Sequence, residues 1–391
     1  MLLKNNNYFS FQRNKNSIHA LDGLRGIAIL LVLGRHAFRG YFPENHIPNE
    51  EWSLWNVLAN GWMGVDLFFV LSGFLISFHI TQRYISAGKI INYKDFLKRR
   101  FLRIAPTYYF VLLVIVTGII PFYEFNYYDV SYRIAYHLMF LQDYLSADIN
   151  VAFWSLGVEE KFYLISPLIL FGVFKTNKLV FQYAILILLI LLPMLLRMLS
   201  SLDNGHDLTY VAYFYTYRSP FHLTFDGLAI GMLCALIYNH RDKYNLNKNL
   251  HINQISFWLG FIVIALVLLS EAHFSYISKF DIVYLEFLVA SGFGLILIGA
   301  VFNGGPICLL RSKTLFYFSK ISYPLYLVHL PLIPLSIYIT KNSAIMNYMN
   351  FQNNFYIFTI VFITLSTVTA TIIHFVIEKP FLIIKDNIKQ A

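Results

Sequence analysis

Long apolar stretches separated by short polar connections dominate this chain of 391 residues. A helix of about 20 apolar residues crosses a hydrocarbon core of ~30 Å, so each long apolar stretch is predicted to be a transmembrane helix. Ten such stretches are placed at residues 26–43, 62–80, 104–121, 153–174, 179–199, 219–238, 254–272, 282–302, 321–340 and 355–377. The pattern therefore predicts an all-α integral membrane protein built as a bundle of about ten transmembrane helices.

Residues 131–145, SYRIAYHLMFLQDYL, are too few and too polar to cross, so this segment is predicted to be an interfacial or re-entrant helix. Basic residues orient the bundle, because cytoplasmic loops of membrane proteins are enriched in Lys and Arg. With the N-terminus inside, 22 of the 30 basic residues fall at cytoplasmic ends and loops, and six, including Arg197 and Arg218, fall opposite. Both termini are therefore expected in the cytoplasm, provided that residues 131–145 do not cross.

The composition excludes most other classes of protein. Hydrophobic residues make up 58% of the chain and charged residues 13%, which indicates a multi-pass membrane protein. Its expected location is the cell membrane, meaning a bacterial inner membrane or a plasma membrane. The net charge of +9 does not indicate nucleic-acid binding, because the basic residues are distributed between apolar stretches. The only cysteines, Cys234 and Cys308, are too few for a disulfide framework or a four-cysteine metal site, and no metal is predicted.

The chain is expected to form a single domain over residues 1–391. No Gly/Ser-rich or Pro-rich linker divides it, and it has no convincing internal repeat. Residues 1–20 are polar and lack the apolar region of a cleavable signal peptide, so they are expected to be a short cytoplasmic tail. No appended soluble domain is predicted.

Arg25 and His36 are separated by an almost wholly apolar segment of the first predicted helix. A helical rise of 1.5 Å per residue puts the imidazole about 16 Å beyond the guanidinium, near the middle of the membrane. Polar groups at that depth are costly, ~2.5–3.5 kcal/mol for a charged one, and often mark a pathway for substrate or protons. His36 is therefore a candidate general base or a buried structural histidine, and Arg25 a functional cation or only an end-charge.

A basic cluster, KRRFLR at residues 98–103, precedes the third apolar stretch. Arg100 and Arg103 are three residues apart, so they share a helical face and could bind phosphates from one side. The alternative is an anchor that contacts lipid headgroups on the cytoplasmic side. A ligand with several phosphates would explain why Arg99, Arg100 and Arg103 fall so close together.

Other polar residues fall inside predicted membrane helices. Glu159 or Glu160 could orient an imidazole or accept a hydrogen bond from a substrate hydroxyl, or one of them could pair with Lys161. Further along the chain, Arg218, His222 and Asp226 are spaced by four residues, which predicts one polar stripe on the sixth helix whose charges could satisfy each other. Asp66 and His329 are further polar groups in apolar surroundings.

Five segments resemble conserved motifs of the membrane acyltransferase-3 family, in the same order and over nearly the whole chain. They are LDGL followed by Arg25 and His36, GVDLFFVLSGF at 64–74, RFLRIAP at 100–106, WSLGVEEKFY at 154–163 and ISYPLYLVH at 321–329. Members of that family often carry an additional soluble hydrolase-like domain. Residues 1–391 contain no such domain, so a self-contained membrane acyltransferase is expected.

The resemblance implies an O-acyltransferase that moves an acyl group, expected to be acetyl from cytoplasmic acetyl-CoA, to a hydroxyl of a surface glycan or related acceptor. His36, Arg25, Glu159 and His329 are the expected catalytic residues, and Arg100, Arg103 and Arg99 the expected residues that bind the acyl-CoA. A carbohydrate or glycolipid is the expected partner on the outer side.

Two alternatives remain open from the residues alone. Intramembrane His, Asp and Glu also suit a proton-coupled transporter, although the missing inverted repeat and the arginine cluster argue against one. An acyltransferase that acts on a lipid or a small molecule is the other alternative. Oligomeric state is not predicted.

Overall fold

The computed structural model describes residues 8–13, 18–42, 54–88, 92–125, 128–202, 208–270, 277–341 and 351–388. Across these ranges the regular structure is helical. The α-helices are α1 (His19–Tyr41), α2 (Leu54–Ala59), α3 (Met63–Ala87), α4 (Tyr93–Val116), α5 (Val130–Leu138), α6 (Trp154–Phe174), α7 (Leu179–Ser200), α8 (Tyr210–Tyr213), α9 (Phe221–Thr224), α10 (Asp226–Asn239), α11 (Leu250–Leu269), α12 (Glu286–Val301), α13 (Ile307–Leu310), α14 (Lys313–Val328), α15 (Ile333–Lys341), α16 (Phe351–Ile373) and α17 (Lys379–Asn387).

Several helices have the length and apolar character of membrane spans, so the chain is an all-helical membrane protein. Among the described residues they are Met63–Ser86, Leu179–Ser200, Leu250–Leu269, Asp281–Val301 and Asn354–Asn387, five in all. The bent pair α14 and Leu330–Lys341 makes a sixth if it crosses as one unit. Ten crossings stay a prediction, because α1, α4 and α6 are long but carry charged residues and α10 has only 14 residues.

The segment expected to be interfacial or re-entrant contains a short helix followed by turns. The helix, α5, has nine residues, about 13 Å, which is well short of the hydrocarbon core. The turns after it pack against α6, where the Lys161 ammonium donates to Asp143 at 2.6 Å and to the carbonyl of Phe140 at 2.9 Å. Lys161 therefore pairs with this segment. The sequence had allowed a pair with Glu159 or Glu160 instead, and that pair is not formed.

Glycines let the helices around the site approach closely. A Cβ on Gly26 of α1 would collide with the backbone carbonyl of Leu315 in α14, and one on Gly73 of α3 with the carbonyl of Leu228 in α10. Small residues at such crossings are typical of membrane helix packing. Because α1 carries His36, and His329 directly follows α14, the contact at Gly26 positions the two histidines.

Gly26→Ala is expected to destabilise the detergent-solubilised protein by about 1–3 kcal/mol, because the new methyl group meets backbone that cannot rotate away. Thermal unfolding measures the loss. Gly172→Ala is the matched control, since Gly172 is also helical and a Cβ there meets nothing within 4 Å. Equal stability of the two variants would show that α1 and α14 can separate without cost.

Candidate active site

A pair of histidines joins α1 to the end of α14. Nε2 of His329 lies 3.0 Å from Nδ1 of His36, and the ring centroids are 4.8 Å apart. His329 is fully buried and stands where the chain bends by 67°, so residues 321–340 are not the single straight helix that the sequence predicts. The bend follows from Pro331 and Pro334, which lack the amide hydrogen that would continue the helix.

Backbone carbonyls fix the proton positions on these two rings when both are neutral. Nδ1 of His329 faces the carbonyls of Leu325 at 3.2 Å and Tyr326 at 2.8 Å, which only accept, so this nitrogen carries the proton. Nε2 of His329 is then an acceptor. Nδ1 of His36 faces it and the carbonyl of Val32 at 2.9 Å, so it is also protonated. The lone pair of His36 is therefore on Nε2, which takes part in none of the hydrogen bonds of the described residues.

A cavity of about 260 Å³ lies between α1, α3, α4, α6 and α14. Basic side chains line its entrance, namely Arg25, Arg100, Arg103, Lys320 and Lys385, together with Glu378 and His374, which are hydrogen-bonded at 2.6 Å. Apolar side chains such as Phe68 and Phe69 line the deeper part. The cavity can therefore accept a ligand with anionic groups at one end and an apolar or uncharged arm at the other.

A second cavity, of about 540 Å³, adjoins the first and shares Arg100, Arg103 and Lys385 with it. Arg83 and Arg99 line only this second cavity. The two cavities together are lined by seven basic side chains and three acidic ones, a formal net charge of +4 with histidines neutral, from Arg25, Arg83, Arg99, Arg100, Arg103, Lys320, Lys385, Asp95, Glu159 and Glu378. Such an excess of positive charge favours a ligand with several phosphates.

Glu159 lines the first cavity between its basic entrance and its inner end. One carboxylate oxygen accepts from the Ser72 hydroxyl at 2.8 Å and the other from the Tyr163 hydroxyl at 2.8 Å. Glu159 therefore joins α3 to α6, and its hydrogen bonds go to hydroxyls and not to either imidazole. The sequence expectation that Glu159 could orient an imidazole is not supported by these contacts, since the partner of His36 is His329.

The inner end of the first cavity is formed by Tyr326 and Ser155, whose hydroxyl oxygens are 2.8 Å apart. Tyr326 is one helical turn before His329, and the two rings are 5.7 Å apart. The lining of the cavity therefore includes a hydroxyl pair one helical turn from His329, while His36 and His329 themselves are not among the lining residues. No group of metal-ligating side chains occurs among the residues that the structure describes.

The polar stripe predicted on the sixth helix does not exist. Pro220 and a break at Phe225 divide the segment into the turn Phe214–Arg218, α9 and α10, so Arg218 and Asp226 do not lie along one helix face. Arg218 instead makes a bidentate ion pair with Asp66 of α3, with both nitrogen–oxygen distances 2.7 Å. His222 lies apart from these charges, with Nδ1 2.9 Å from the Tyr144 hydroxyl.

Arg218 and Arg197 are parts of one buried ion network. Arg197 binds Asp226 at 2.9 Å and Glu286 at 3.3 Å, and Glu286 also lies 3.5 Å from Arg218. All these side chains are at most 5% exposed. Arg197 and Arg218 therefore link α3, α7, α10 and α12, although the sequence analysis placed both at outer helix ends.

The structure brings the residues expected from the sequence into two neighbouring groups. His36 and His329 form the pair, and Arg25, Arg100, Arg103 and Glu159 line the first cavity, while Arg99 lines the second. Sequence reasoning missed Lys320 and Lys385 at the entrance. Lys320 directly precedes the ISYPLYLVH segment, which could have drawn attention to it, whereas nothing near Lys385 signals a site.

The fold and site define an all-helical membrane protein with a basic cavity near a histidine pair, in which His329 is buried and His36 partly buried. The chain belongs to the acyltransferase-3 family, because the model of that family, described as an acyltransferase domain, matches residues 18–377. It is 26% identical over 339 residues to a Bacillus subtilis protein named "Putative peptidoglycan O-acetyltransferase YrhL", which covers 82% of this chain. It is 30% identical over 167 residues, 38% of this chain, to the O-acetyltransferase OatA of Staphylococcus aureus.

The chain spans only part of these relatives. The alignments cover 49% of YrhL and 24% of OatA. No solved structure matches the chain.

Proposed function

We propose that the chain is an O-acyltransferase that moves an acyl group, in the first instance acetyl, from cytoplasmic acyl-CoA to a hydroxyl of an extracytoplasmic glycan. The observation that carries this proposal is the cavity whose lining combines basic side chains with the hydroxyl pair of Tyr326 and Ser155, because Tyr326 lies next to His329, the partner of His36. The family assignment supports acyl transfer, and the names of the relatives make peptidoglycan the first acceptor to test.

Acyl-CoA fits the two cavities better than an uncharged acyl donor does. Its phosphates would meet the arginines and lysines of the entrance, where the lining has its net charge of +4. Its neutral arm would extend past Glu159 into the apolar part of the first cavity. Arg25, in this arrangement, holds the donor through its guanidinium.

His36 acts as the general base in this proposal. Its Nε2 lone pair takes the proton from the acceptor hydroxyl while the oxygen attacks the carbonyl carbon of the thioester. The imidazolium that forms keeps Nδ1–H bound between His329 and the carbonyl of Val32, which stabilises the charge. When the carbon–sulfur bond breaks, the thiolate of CoA takes that proton and leaves as the thiol.

Mass spectrometry of surface glycans from cells with and without the gene tests the proposal directly. We expect an acetyl-sized mass difference on a glycan of cells that carry the gene, and its position names the acceptor hydroxyl. If a lipid or small molecule is acetylated and the glycans are unchanged, the acceptor is that molecule and not a glycan. Unchanged products together with a changed uptake of a solute would contradict acyl transfer and favour the transporter.

The proposal includes a single membrane domain with ten crossings and both termini in the cytoplasm. Donor and acceptor are then used from opposite faces of the membrane. Exposed Cys308 is predicted to lie on the cytoplasmic side, and Lys279 is exposed on the predicted outer side. These two positions report the orientation of the bundle.

An impermeant thiol reagent is expected to label native Cys308 only after the membrane is opened to the cytoplasmic face. In a Cys308→Ser background, Lys279→Cys should label from outside in intact cells, and Asn92→Cys only from the cytoplasm. Cys234 is buried and does not interfere. Labelling of position 279 from the cytoplasm would require a different number of crossings.

Replacing both Arg100 and Arg103 with alanine is expected to raise the apparent KM for acetyl-CoA at least about tenfold, since two charge-assisted phosphate contacts are lost. Initial rates of transfer from labelled acetyl-CoA in membranes give the KM. Lys175→Ala with Lys178→Ala is the matched control, because both lysines are exposed on the same predicted face and line neither cavity. Equal effects would reduce the arginines to a topological anchor.

A further inference from the structure

Seven hydroxyl-bearing side chains line the first cavity, and most of them have fixed partners. The hydroxyls of Ser72 and Tyr163 donate to Glu159, and that of Ser319 lies 3.2 Å from a carboxylate oxygen of Asp22. The remaining members of this group are Tyr323, which donates to the carbonyl of Ile104 at 2.8 Å, Ser322, which donates to the carbonyl of Ser319 at 2.9 Å, and the pair Tyr326 and Ser155.

Tyr326 and Ser155 differ from the others because their hydroxyls bind each other. Both side chains are buried, and either oxygen can be the donor. The Ser155 hydroxyl is also 3.4 Å from the carbonyl of Ala152, a long and weak contact. Both hydroxyls are therefore satisfied when the Tyr326 hydroxyl donates to Ser155 and the Ser155 hydroxyl donates to the carbonyl of Ala152.

The direction of these two hydrogen bonds can reverse at small cost. If the Ser155 hydroxyl turns from the distant carbonyl of Ala152 and donates to the tyrosine oxygen at 2.8 Å, the Tyr326 O–H no longer donates to Ser155 and can donate to another acceptor. The Tyr326 O–H lies at the inner end of the cavity, one helical turn from His329. A carbonyl oxygen that arrives at this end of the cavity would accept it.

We propose that the Tyr326 hydroxyl, supported by Ser155, donates a hydrogen bond to the acyl carbonyl oxygen during transfer. This inference rests on the proposed function and adds a second participant to it. As the acceptor oxygen bonds to the carbonyl carbon and its proton passes to Nε2 of His36, the carbonyl oxygen becomes negatively charged. Tyr326 stabilises that charge without giving up its proton, and the charge is lost again when the carbon–sulfur bond breaks.

The geometry along α14 agrees with such a role. Lys320 at the entrance precedes Tyr326 by six residues, about 9 Å along the helix, and His329 follows it by three residues, about 4.5 Å. The donor's charged end and its reacting end can thus be held by one helix. The base lies directly beyond, on the neighbouring helix α1.

Kinetics of Tyr326→Phe, with acetyl-CoA and the acceptor found for the wild-type protein, test the proposal. The variant keeps the ring and removes one donor to the oxyanion, so kcat is expected to fall about 10²–10³-fold. The KM for acetyl-CoA should stay within about threefold, because the ground-state carbonyl gains little from the bond. Ser155→Ala should lower kcat less, since Tyr326 can still donate.

Tyr317→Phe is the matched control, because Tyr317 lies on the same helix, α14, and lines neither cavity, and its hydroxyl is 2.7 Å from that of Thr371; its kcat should stay within about threefold of wild type. A kcat of Tyr326→Phe near that of Tyr317→Phe would overturn the inference while the proposed function stands. A rise in KM with unchanged kcat would also overturn it, because Tyr326 would then only contribute to binding. Absence of acetyl transfer by the wild-type protein would instead overturn the proposed function.

Discussion

His36→Ala is expected to lower kcat for acyl transfer at least about 100-fold, because general-base catalysis contributes about 10²–10⁴-fold. The remaining steps of the reaction need no other group from this position, so the KM for acetyl-CoA should change little. Labelled acetyl-CoA and membranes from cells that express the variant give both values. Expression and thermal unfolding are measured in parallel to show that the variant is folded.

His329→Ala serves as the comparison for the same pair. Nδ1–H of His36 then loses one acceptor but keeps the carbonyl of Val32, so the ring stays in the tautomer that leaves Nε2 unprotonated. We therefore expect a smaller loss of kcat than for His36→Ala. The reverse order would make His329 the base, and equal activity of both variants and wild type would remove the histidines from the mechanism.

The presence of a helix in each apolar stretch could be predicted from the sequence, although its ends could not, since α4 begins at Tyr93 and not at the predicted residue 104. Each of the ten apolar stretches contains a helix in the structure, because burial of apolar side chains and satisfaction of backbone polar groups in a membrane leave few other conformations. The spacing of Arg25 and His36 on one helix follows from the same argument, and α1 contains both residues.

Breaks inside apolar stretches were harder to predict. The stretch 321–340 bends at His329, next to Pro331, and the stretch 219–238 is interrupted at Pro220, before α9, and again at Phe225, where no proline stands. Hydropathy averages over a window and does not register a proline, while helical periodicity assumes that the helix continues. The polar stripe from Arg218 to Asp226 failed for this reason.

Partners distant in the sequence could not be predicted at all from periodicity. His36 and His329 are 293 residues apart, and Arg218 and Asp66 are 152 residues apart. Which polar residue meets which depends on how the helices pack, and several pairings satisfy the same set of charges. The family resemblance named candidate residues but not the contacts between them, and their roles stay predictions.

The two groups of charged residues have different consequences for the protein. Around the cavities the basic residues outnumber the acidic ones, so charge remains for a ligand. In the ion network, Arg197 and Arg218 meet three carboxylates, Asp66, Asp226 and Glu286, within the bundle. Substitutions in the first group should change kinetics, and substitutions in the second should change stability.

Arg218→Met is accordingly expected to destabilise the detergent-solubilised protein by about 3–5 kcal/mol, because it leaves buried carboxylates without their cation. Arg311→Met is the control, because Arg311 is exposed and its side chain binds only Asn303 among the side chains described. It should lower the free energy of unfolding by less than about 1 kcal/mol.

The double variant Asp66→Asn with Arg218→Met decides whether the ion pair itself is the cause. Removing the charge of Asp66 relieves part of the imbalance, so the double variant should unfold at a higher temperature than Arg218→Met alone. If the double variant is destabilised by the sum of the two single changes, the arginine contributes through packing against Trp62 and Trp154, whose ring centroids lie 5.1 and 5.3 Å from its guanidinium carbon. Full stability of Arg218→Met would contradict both explanations and show that the carboxylates are neutral in the folded protein.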